Sequence, residues 1–101
     1  MTAPWGKGQA WDPLTTFAFE QITVAATAIG PTAATVANAL RGVFVVETAD
    51  VRYRVDSVPT ATVGMLLPVG SELTVYGNDV RNITFIRTGG VSATIDACYA
   101  R

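Results

Sequence analysis

Short apolar–polar alternations, each ended by glycine, proline or asparagine, fill most of the sequence from residue 15 onwards. An alternation with a period of two is the pattern of a strand that buries one of its faces. The alternating runs recur every 8 to 12 residues or so, roughly the spacing of antiparallel sandwiches and barrels, and no convincing long helix separates them. We therefore expect an all-β fold, either an antiparallel β-sandwich or a jelly-roll-like barrel.

The expected strands occupy residues 15–25, 43–47, 51–56, 72–76, 83–87 and 91–99. The run over residues 43–47 is apolar on both faces, which favours a central strand. Gly89 and Gly90 separate the last two runs and predict a hairpin, with no helix anywhere in residues 72–99. The side chains expected to be buried in this hairpin include Ile83, Phe85, Val91, Ala93, Ile95 and Ala97.

Two stretches lack a clear period. Residues 25–40 are rich in alanine and threonine, and we interpret them as a loop with a strand around Thr35. A short helical turn from Thr32 to Leu40 is the alternative, because alanine is the best helix former. Residues 57–68 are expected to be a turn followed by an irregular segment.

The chain divides into an irregular N-terminal arm, residues 1–13, and a single β-sandwich domain, residues 14–101. The arm holds Trp5 and Trp11 without any periodic pattern. Indole rings are favoured anchors at protein interfaces because they bury a large apolar surface. The two rings would therefore pack either on the sheet of their own domain or on a neighbouring subunit.

Composition excludes several classes of function. The chain has no histidine, one cysteine and a net charge of −1. The usual carriers of acid–base catalysis and metal binding are therefore missing or scattered, and no concentrated basic stripe is present to bind phosphates. We predict no enzyme activity, no catalytic, cofactor-binding or metal-binding residue, no cofactor and no direct nucleic-acid partner. No apolar run approaches the roughly 18 residues that would cross a membrane, and no secretory signal is recognisable. Cys98 is interpreted as a small core or inter-strand filler.

Charged residues near the third strand are interpreted as structural. Arg52 and Arg54 lie two positions apart, so both side chains project from one face of a strand. They are candidates for an interaction site, with a carboxylate such as Asp56 or Glu47, or a neighbouring subunit, as partner. Glu47 and Asp50 flank a turn and are expected to be solvated rather than to act as a catalytic pair.

Five segments of the sequence resemble a recurrent pattern in small structural proteins of tailed bacteriophages. The segments are VVETADVRYRVD (residues 45–56), PTATVG (59–64), GSEL (70–73), VRNITFIRTG (80–89) and ATIDACYAR (93–101). The sequence departs from the pattern at Ser57–Val58, where Gly-Thr is common, and at Met65, where histidine is common. The tryptophan-bearing arm is not part of the pattern.

The resemblance implies a virion component made in the host cytoplasm. The specific expectation is a capsid decoration subunit that binds the major capsid protein or other virion proteins and stabilises the assembled shell. As a homo-oligomer, for which a homotrimer is our guess, it would cover apolar surface by closed symmetry. The alternatives are a neck or tail accessory protein, or a carbohydrate-binding β-sandwich whose stacking platforms would be Trp5, Trp11, Tyr53 or Tyr76.

Overall fold

In the computed structural model, which describes residues 13–101, the strands form two antiparallel sheets. The large sheet has the order β1-β7-β2-β5 and the small sheet the order β4-β3-β6. The strands are β1 (Thr16–Val24), β2 (Arg41–Glu47), β3 (Val51–Arg54), β4 (Met65–Leu67), β5 (Glu72–Tyr76), β6 (Thr84–Arg87) and β7 (Ala93–Ala100). The helices are α1 (Ala33–Val36) and α2 (Asn78–Asn82). The expected all-β sandwich is confirmed, and β2 is central as predicted, between β7 and β5.

The core lies between the two sheets and is built from the inward positions of each alternating strand. Phe44 of β2 and Phe85 of β6 contribute fully buried rings from opposite sheets, and the ring centroids are 5.3 Å apart. Tyr99 of β7 packs edge-on against Phe44 at 6.0 Å. Offset and edge-on ring pairs of this kind stabilise beyond the area that they bury. The aromatic cluster therefore joins the two sheets.

A small polar cluster closes the core beside β1. The buried Tyr99 donates its hydroxyl hydrogen to Glu20 Oε2 at 2.6 Å, and Thr32 donates both its hydroxyl and its backbone N–H to the same carboxylate. Burial would raise the pKa of Glu20, but these three hydrogen bonds outweigh it and hold that pKa below the ordinary value. Burial, followed by the bond to Glu20, raises the pKa of Tyr99 well above its ordinary value. The ionised carboxylate thus ties the segment before α1 to the large sheet.

The outer edge of β6 is covered by the chain that follows β1. Ile29 and Phe85 exchange both backbone hydrogen bonds, at 2.9 and 2.8 Å, and Arg87 donates its N–H to the Ala25 carbonyl. Gly30 permits this approach, because a Cβ there would stand 2.7 Å from the Ile83 carbonyl oxygen. Residues 25–29 therefore act as a cap on the small sheet.

Several expectations for the C-terminal half were wrong. The runs before and after Gly89–Gly90 are not hairpin partners, since β6 belongs to the small sheet and β7 to the large sheet. The glycine turn thus crosses between layers. Val91 is 61% exposed because it precedes β7, whereas the other five side chains predicted to be buried in this region are buried.

Short elements were also missed. Residues 78–82 form α2, which contradicts the expectation of no helix in residues 72–99. Gly77 precedes this helix as its N-cap residue and adopts a positive φ of 62°. The strand expected around Thr35 is wrong, because residues 33–36 form α1 and bury Val36. The irregular segment expected before Pro68 contains β4.

Replacement of Phe85 by alanine tests the aromatic cluster. Phe85 is fully buried and contacts rings of both sheets, so its truncation should lower the free energy of unfolding by about 3–5 kcal/mol. Phe85→Leu, which keeps most of the volume, should cost less. Urea denaturation followed by circular dichroism measures both values. A loss under 1 kcal/mol for Phe85→Ala, roughly what an exposed site gives, would contradict this packing.

Acid titration tests the Glu20 cluster. A carboxyl whose pKa is depressed on folding stabilises the fold above its ordinary value of 4.5, and this stabilisation disappears as pH falls through the lower folded-state pKa. At neutral pH we expect Glu20→Gln to cost about 1 kcal/mol, given the partial exposure of the group. The difference between the wild type and the variant should vanish at low pH. A constant difference from pH 7 to pH 3 would show that the charge of Glu20 contributes nothing.

Candidate functional site

Exposed apolar side chains are concentrated between β3 and β4. Val58, Val63, Met65 and Leu66 are all at least half exposed, at 63, 52, 61 and 50% respectively. We call residues 55–66 the β3–β4 lobe. Met65 and Leu66 are consecutive residues of β4 and so point to opposite faces of that strand. Several exposed apolar side chains in one short segment are a common mark of a site of protein interaction.

The lobe has a defined conformation. Pro59 is buried and anchors its base, while Thr60 and Val63 exchange backbone hydrogen bonds across a tight turn. The Thr60 hydroxyl also accepts the Val63 N–H at 3.0 Å. Gly64 then takes a φ of 140°, a conformation that side chains strongly disfavour, and so directs the chain into β4. The PTATVG segment is therefore the turn that presents the exposed valine and methionine.

Arg52 holds this turn against β3. Its Nε donates to the Ala61 carbonyl at 3.1 Å and its Nη1 donates to the Gly64 carbonyl at 3.0 Å. Its partners are therefore not the carboxylates of Asp56 or Glu47, and a contact of Arg52 with a neighbouring subunit stays a prediction. Backbone carbonyls accept both bonds because the lobe folds back over the outer face of β3.

Arg54 forms the carboxylate pair expected from the sequence. Its Nε and Nη2 donate to the two oxygens of Asp56 at 3.0 and 2.9 Å. These bonds raise the pKa of Arg54 and lower the pKa of Asp56. Both groups are partly or largely exposed, so solvent screens the pair and it contributes little to folding. The pair instead fixes the position of charge beside the apolar lobe.

Two adjoining surface depressions flank the ion pair, and both are lined by Val55 and Asp56. One has a volume of about 490 Å³ and is completed by Tyr53, Arg54, Val63, Gly64 and Met65. The other, of about 460 Å³, is completed by Ser57, Val58, Asn82 and Thr84. Their walls combine exposed methyl groups with one ion pair and with hydroxyl and amide groups. This mixture resembles the composition of protein interfaces, in which an apolar centre is bordered by polar groups.

The acidic residues predicted to be solvated have distinct partners. Glu47 and Asp50 do not pair with each other: Asp50 accepts the Val69 N–H at 2.8 Å, and Glu47 interacts with Asp96 across β2 and β7. The hydrogen bond between the two carboxyl groups, with their mutual repulsion, raises the pKa of Glu47. The pKa of Asp96 is lowered by the same hydrogen bond to Glu47 and by a second one, in which Gln21 donates its Nε2–H to Asp96 Oδ1 at 2.8 Å.

Cys98 is not a core residue. It is exposed on the outer face of the large sheet, between Phe19 of β1 and Val43 of β2. Inward and outward positions alternate along β7, and the buried Ala97 and Tyr99 fix Cys98 on the outward side.

Of the four residues predicted to mediate interactions, the structure describes Arg52 and Arg54. Trp5 and Trp11 lie outside the described residues, as does all of the arm except Pro13. Arg52 and Arg54 project from one face of β3 as expected, but they bind separate partners. The interaction role of all four stays a prediction. Sequence reasoning missed Val58, Val63, Met65 and Leu66, which lie in the segment expected to be irregular.

Comparison of the chain with known protein families, with curated proteins and with solved structures finds no match. Within residues 13–101, no helix is both long and apolar enough to cross a membrane. The same residues contain no group of three or more cysteine and acidic side chains arranged to hold a metal ion. The candidate site therefore rests on the geometry of the lobe.

Replacement of Arg52 by methionine should loosen the turn of the lobe. Methionine keeps much of the side-chain length but loses both donors, so the Ala61 and Gly64 carbonyls lose their bonds to the guanidinium. We expect faster amide exchange at residues 60–64 with little change in the β2 and β7 cores. Arg54→Met is the matched control and should leave exchange in the turn unchanged. Equal exchange in the wild type and Arg52→Met would show that the turn is ordered without Arg52.

Proposed function

We propose that the protein is a non-enzymatic structural component of a tailed-phage virion, and specifically a capsid decoration subunit that binds the assembled shell. The observation that carries this proposal is the β3–β4 lobe, in which Val63 is exposed on a hydrogen-bonded turn and Met65 and Leu66 are exposed on the adjoining strand β4. The resemblance of the sequence to small phage structural proteins supplies the class of partner.

The lobe suits a protein partner for two physical reasons. Burial of exposed apolar side chains stabilises a complex by about 25 cal/mol per Å² of apolar surface. In addition, the turn is already ordered by the Arg52 and Thr60 hydrogen bonds, so little conformational entropy is lost on binding. The Arg54–Asp56 pair at the border of the apolar surface would orient the partner.

Decoration would stabilise the shell by mass action. A subunit that binds assembled capsomers, and not separated ones, adds its binding free energy to the stability of the assembly. Many copies at equivalent sites would together contribute a large stabilisation although each contact is modest. No catalytic group is needed for this mechanism.

The alternative positions in the virion differ in copy number. A decoration subunit would be present in hundreds of copies per particle, whereas a neck or tail accessory protein would be present in about a dozen. Densitometry of the protein against the major capsid protein in purified virions separates the two. About a dozen copies per particle would move the proposal to the neck or tail.

A carbohydrate-binding role has weaker support from the described residues. Tyr76 is 62% exposed and could stack on a sugar ring, but Tyr53 is half-buried against Phe85, at a centroid distance of 6.4 Å. Binding of the isolated protein to a glycan array, lost on Tyr76→Ala, would favour this alternative.

Charge placed on the lobe should prevent decoration. We expect Met65→Glu and Val63→Glu to reduce occupancy of undecorated shells by a factor of about ten or more, because each would bury an unpaired carboxylate in the contact. Cosedimentation of the variants with shells measures occupancy. Val91→Glu, which alters a side chain of similar exposure outside the lobe, is the matched control and should bind as the wild type does.

The indoles of the arm are expected to add to this binding. Truncation of a well-packed interface tryptophan typically costs about 2 kcal/mol, or roughly thirtyfold in affinity. The double variant Trp5→Ala/Trp11→Ala should therefore keep its thermal stability but occupy fewer sites in the same assay. Normal occupancy with a lowered melting temperature would show instead that the indoles pack on their own domain.

A further inference from the structure

The outward face of the large sheet carries an uncharged row across all four strands. Strand register places Phe19, Cys98, Val43 and Thr74 side by side, one from each of β1, β7, β2 and β5. Phe19 is 58% exposed and Cys98 is exposed, so nothing in residues 13–101 covers this row. We call it the middle row.

The rows on either side of the middle row carry opposite charge. On one side, Arg41 lies beside Tyr76, and Tyr76 is 62% exposed. On the other side, Asp96 and Glu72 flank Val45, and Glu47 follows two residues further along β2 on the same face. The face therefore runs from basic through uncharged to acidic along the strand direction, within a few residues.

We propose that this face binds a second copy of the same chain, related to the first by a two-fold axis. The axis lies between the two copies, parallel to their sheets and perpendicular to their strands, and it passes over the middle row. Such an axis reverses the strand direction, so the basic row of each copy meets the acidic row of the other. The middle row then packs on its own counterpart. A face that is complementary to itself in this way is what an isologous dimer requires.

The geometry makes specific pairs. Phe19 and Val43 of one copy would pack on Phe19 and Val43 of the second copy, as inner faces do in stacked sheets about 10 Å apart. Tyr76 would lie over Glu72 of the second copy, and Arg41 would lie between the Glu72 and Asp96 carboxylates of that copy. A rotation about an axis parallel to the strands would instead place the acidic rows against each other.

The available area indicates a weak, concentration-dependent dimer. Four strands spaced about 4.8 Å apart and three rows spaced about 6.8 Å apart give a face of about 400 Å² per copy. This corresponds to roughly 800 Å² in total, the size of a weak or transient interface rather than of a permanent one. The inference does not rest on the proposed function, and it replaces the guessed trimer with a two-fold pair.

The lone cysteine provides the test, because it lies in the middle row. In the full-length protein, a short bis-maleimide that spans about the 10 Å between stacked sheets should link two copies through Cys98. We also expect the maleimide labelling rate of Cys98 to fall as protein concentration rises, in step with dimer formation in sedimentation experiments.

Three variants identify the surface. Phe19→Glu should weaken the dimer by a factor of about ten or more and abolish the cross-link, since it buries like charges opposite each other. Glu72→Lys should weaken it less, by reversing the charge that faces Tyr76 and Arg41. Met65→Glu alters the lobe on the other sheet and should leave the dimer intact, so loss of shell binding and loss of the dimer are distinguishable.

A second cysteine position controls for random encounter. The double variant Cys98→Ser/Val91→Cys moves the thiol to an exposed position outside the face and should give no cross-link at matched concentration. The proposal is overturned if the protein sediments as a monomer at every concentration with Cys98 freely reactive. It is also overturned if Cys98 is protected from labelling in a monomer, because the chain would then cover its own sheet. Normal dimerisation of the Phe19→Glu variant would overturn it as well.

Discussion

The contact between Phe44 and Phe85 is the one on which the rest of the molecule depends. It is the closest aromatic pair in the described core, and it is the point at which the large and small sheets meet. Gly42 makes room for it, because a Cβ there would stand 3.0 Å from the Phe44 ring. Phe85 also packs on Tyr53 of β3, the strand from which the lobe extends. The lobe is therefore positioned by the same ring that closes the core.

Strong alternation was sufficient to locate most strands from the sequence. The six strands β1, β2, β3, β5, β6 and β7 all lie within two residues of their expected bounds, because in each of them the apolar side chains of one face are buried or partly buried. β4 was missed because three residues between Gly64 and Pro68 are too short to show a period. The sequence did not show which sheet each strand joins, because Gly89–Gly90 permits a turn within one sheet and a crossing between sheets equally well. The exposed side chains of the lobe could not be predicted either. An irregular segment has no period that would indicate which of its apolar side chains are buried and which are exposed.

The two proposed surfaces lie on opposite sides of the sandwich, which has a consequence for how they would act together. The lobe belongs to the small sheet and the middle row to the outer face of the large sheet. A dimer formed through the large sheets would carry one lobe on each distal side. If both lobes reach sites on a shell, the second contact forms at a high effective concentration, and weak individual contacts suffice for stable attachment. If they cannot reach, the dimer would instead join two separate surfaces.

The cap that residues 25–29 place on β6 protects one edge of the small sheet from other chains. An open strand edge is a template on which another chain can add a strand. Here β6 already exchanges hydrogen bonds with Ile29, and the opposite edge of the small sheet, β4, offers only three residues. The cap can lie close to β6 because Gly30 has no side-chain carbon. A methyl group at that position would push the cap away and expose the edge of β6 to strand addition and aggregation.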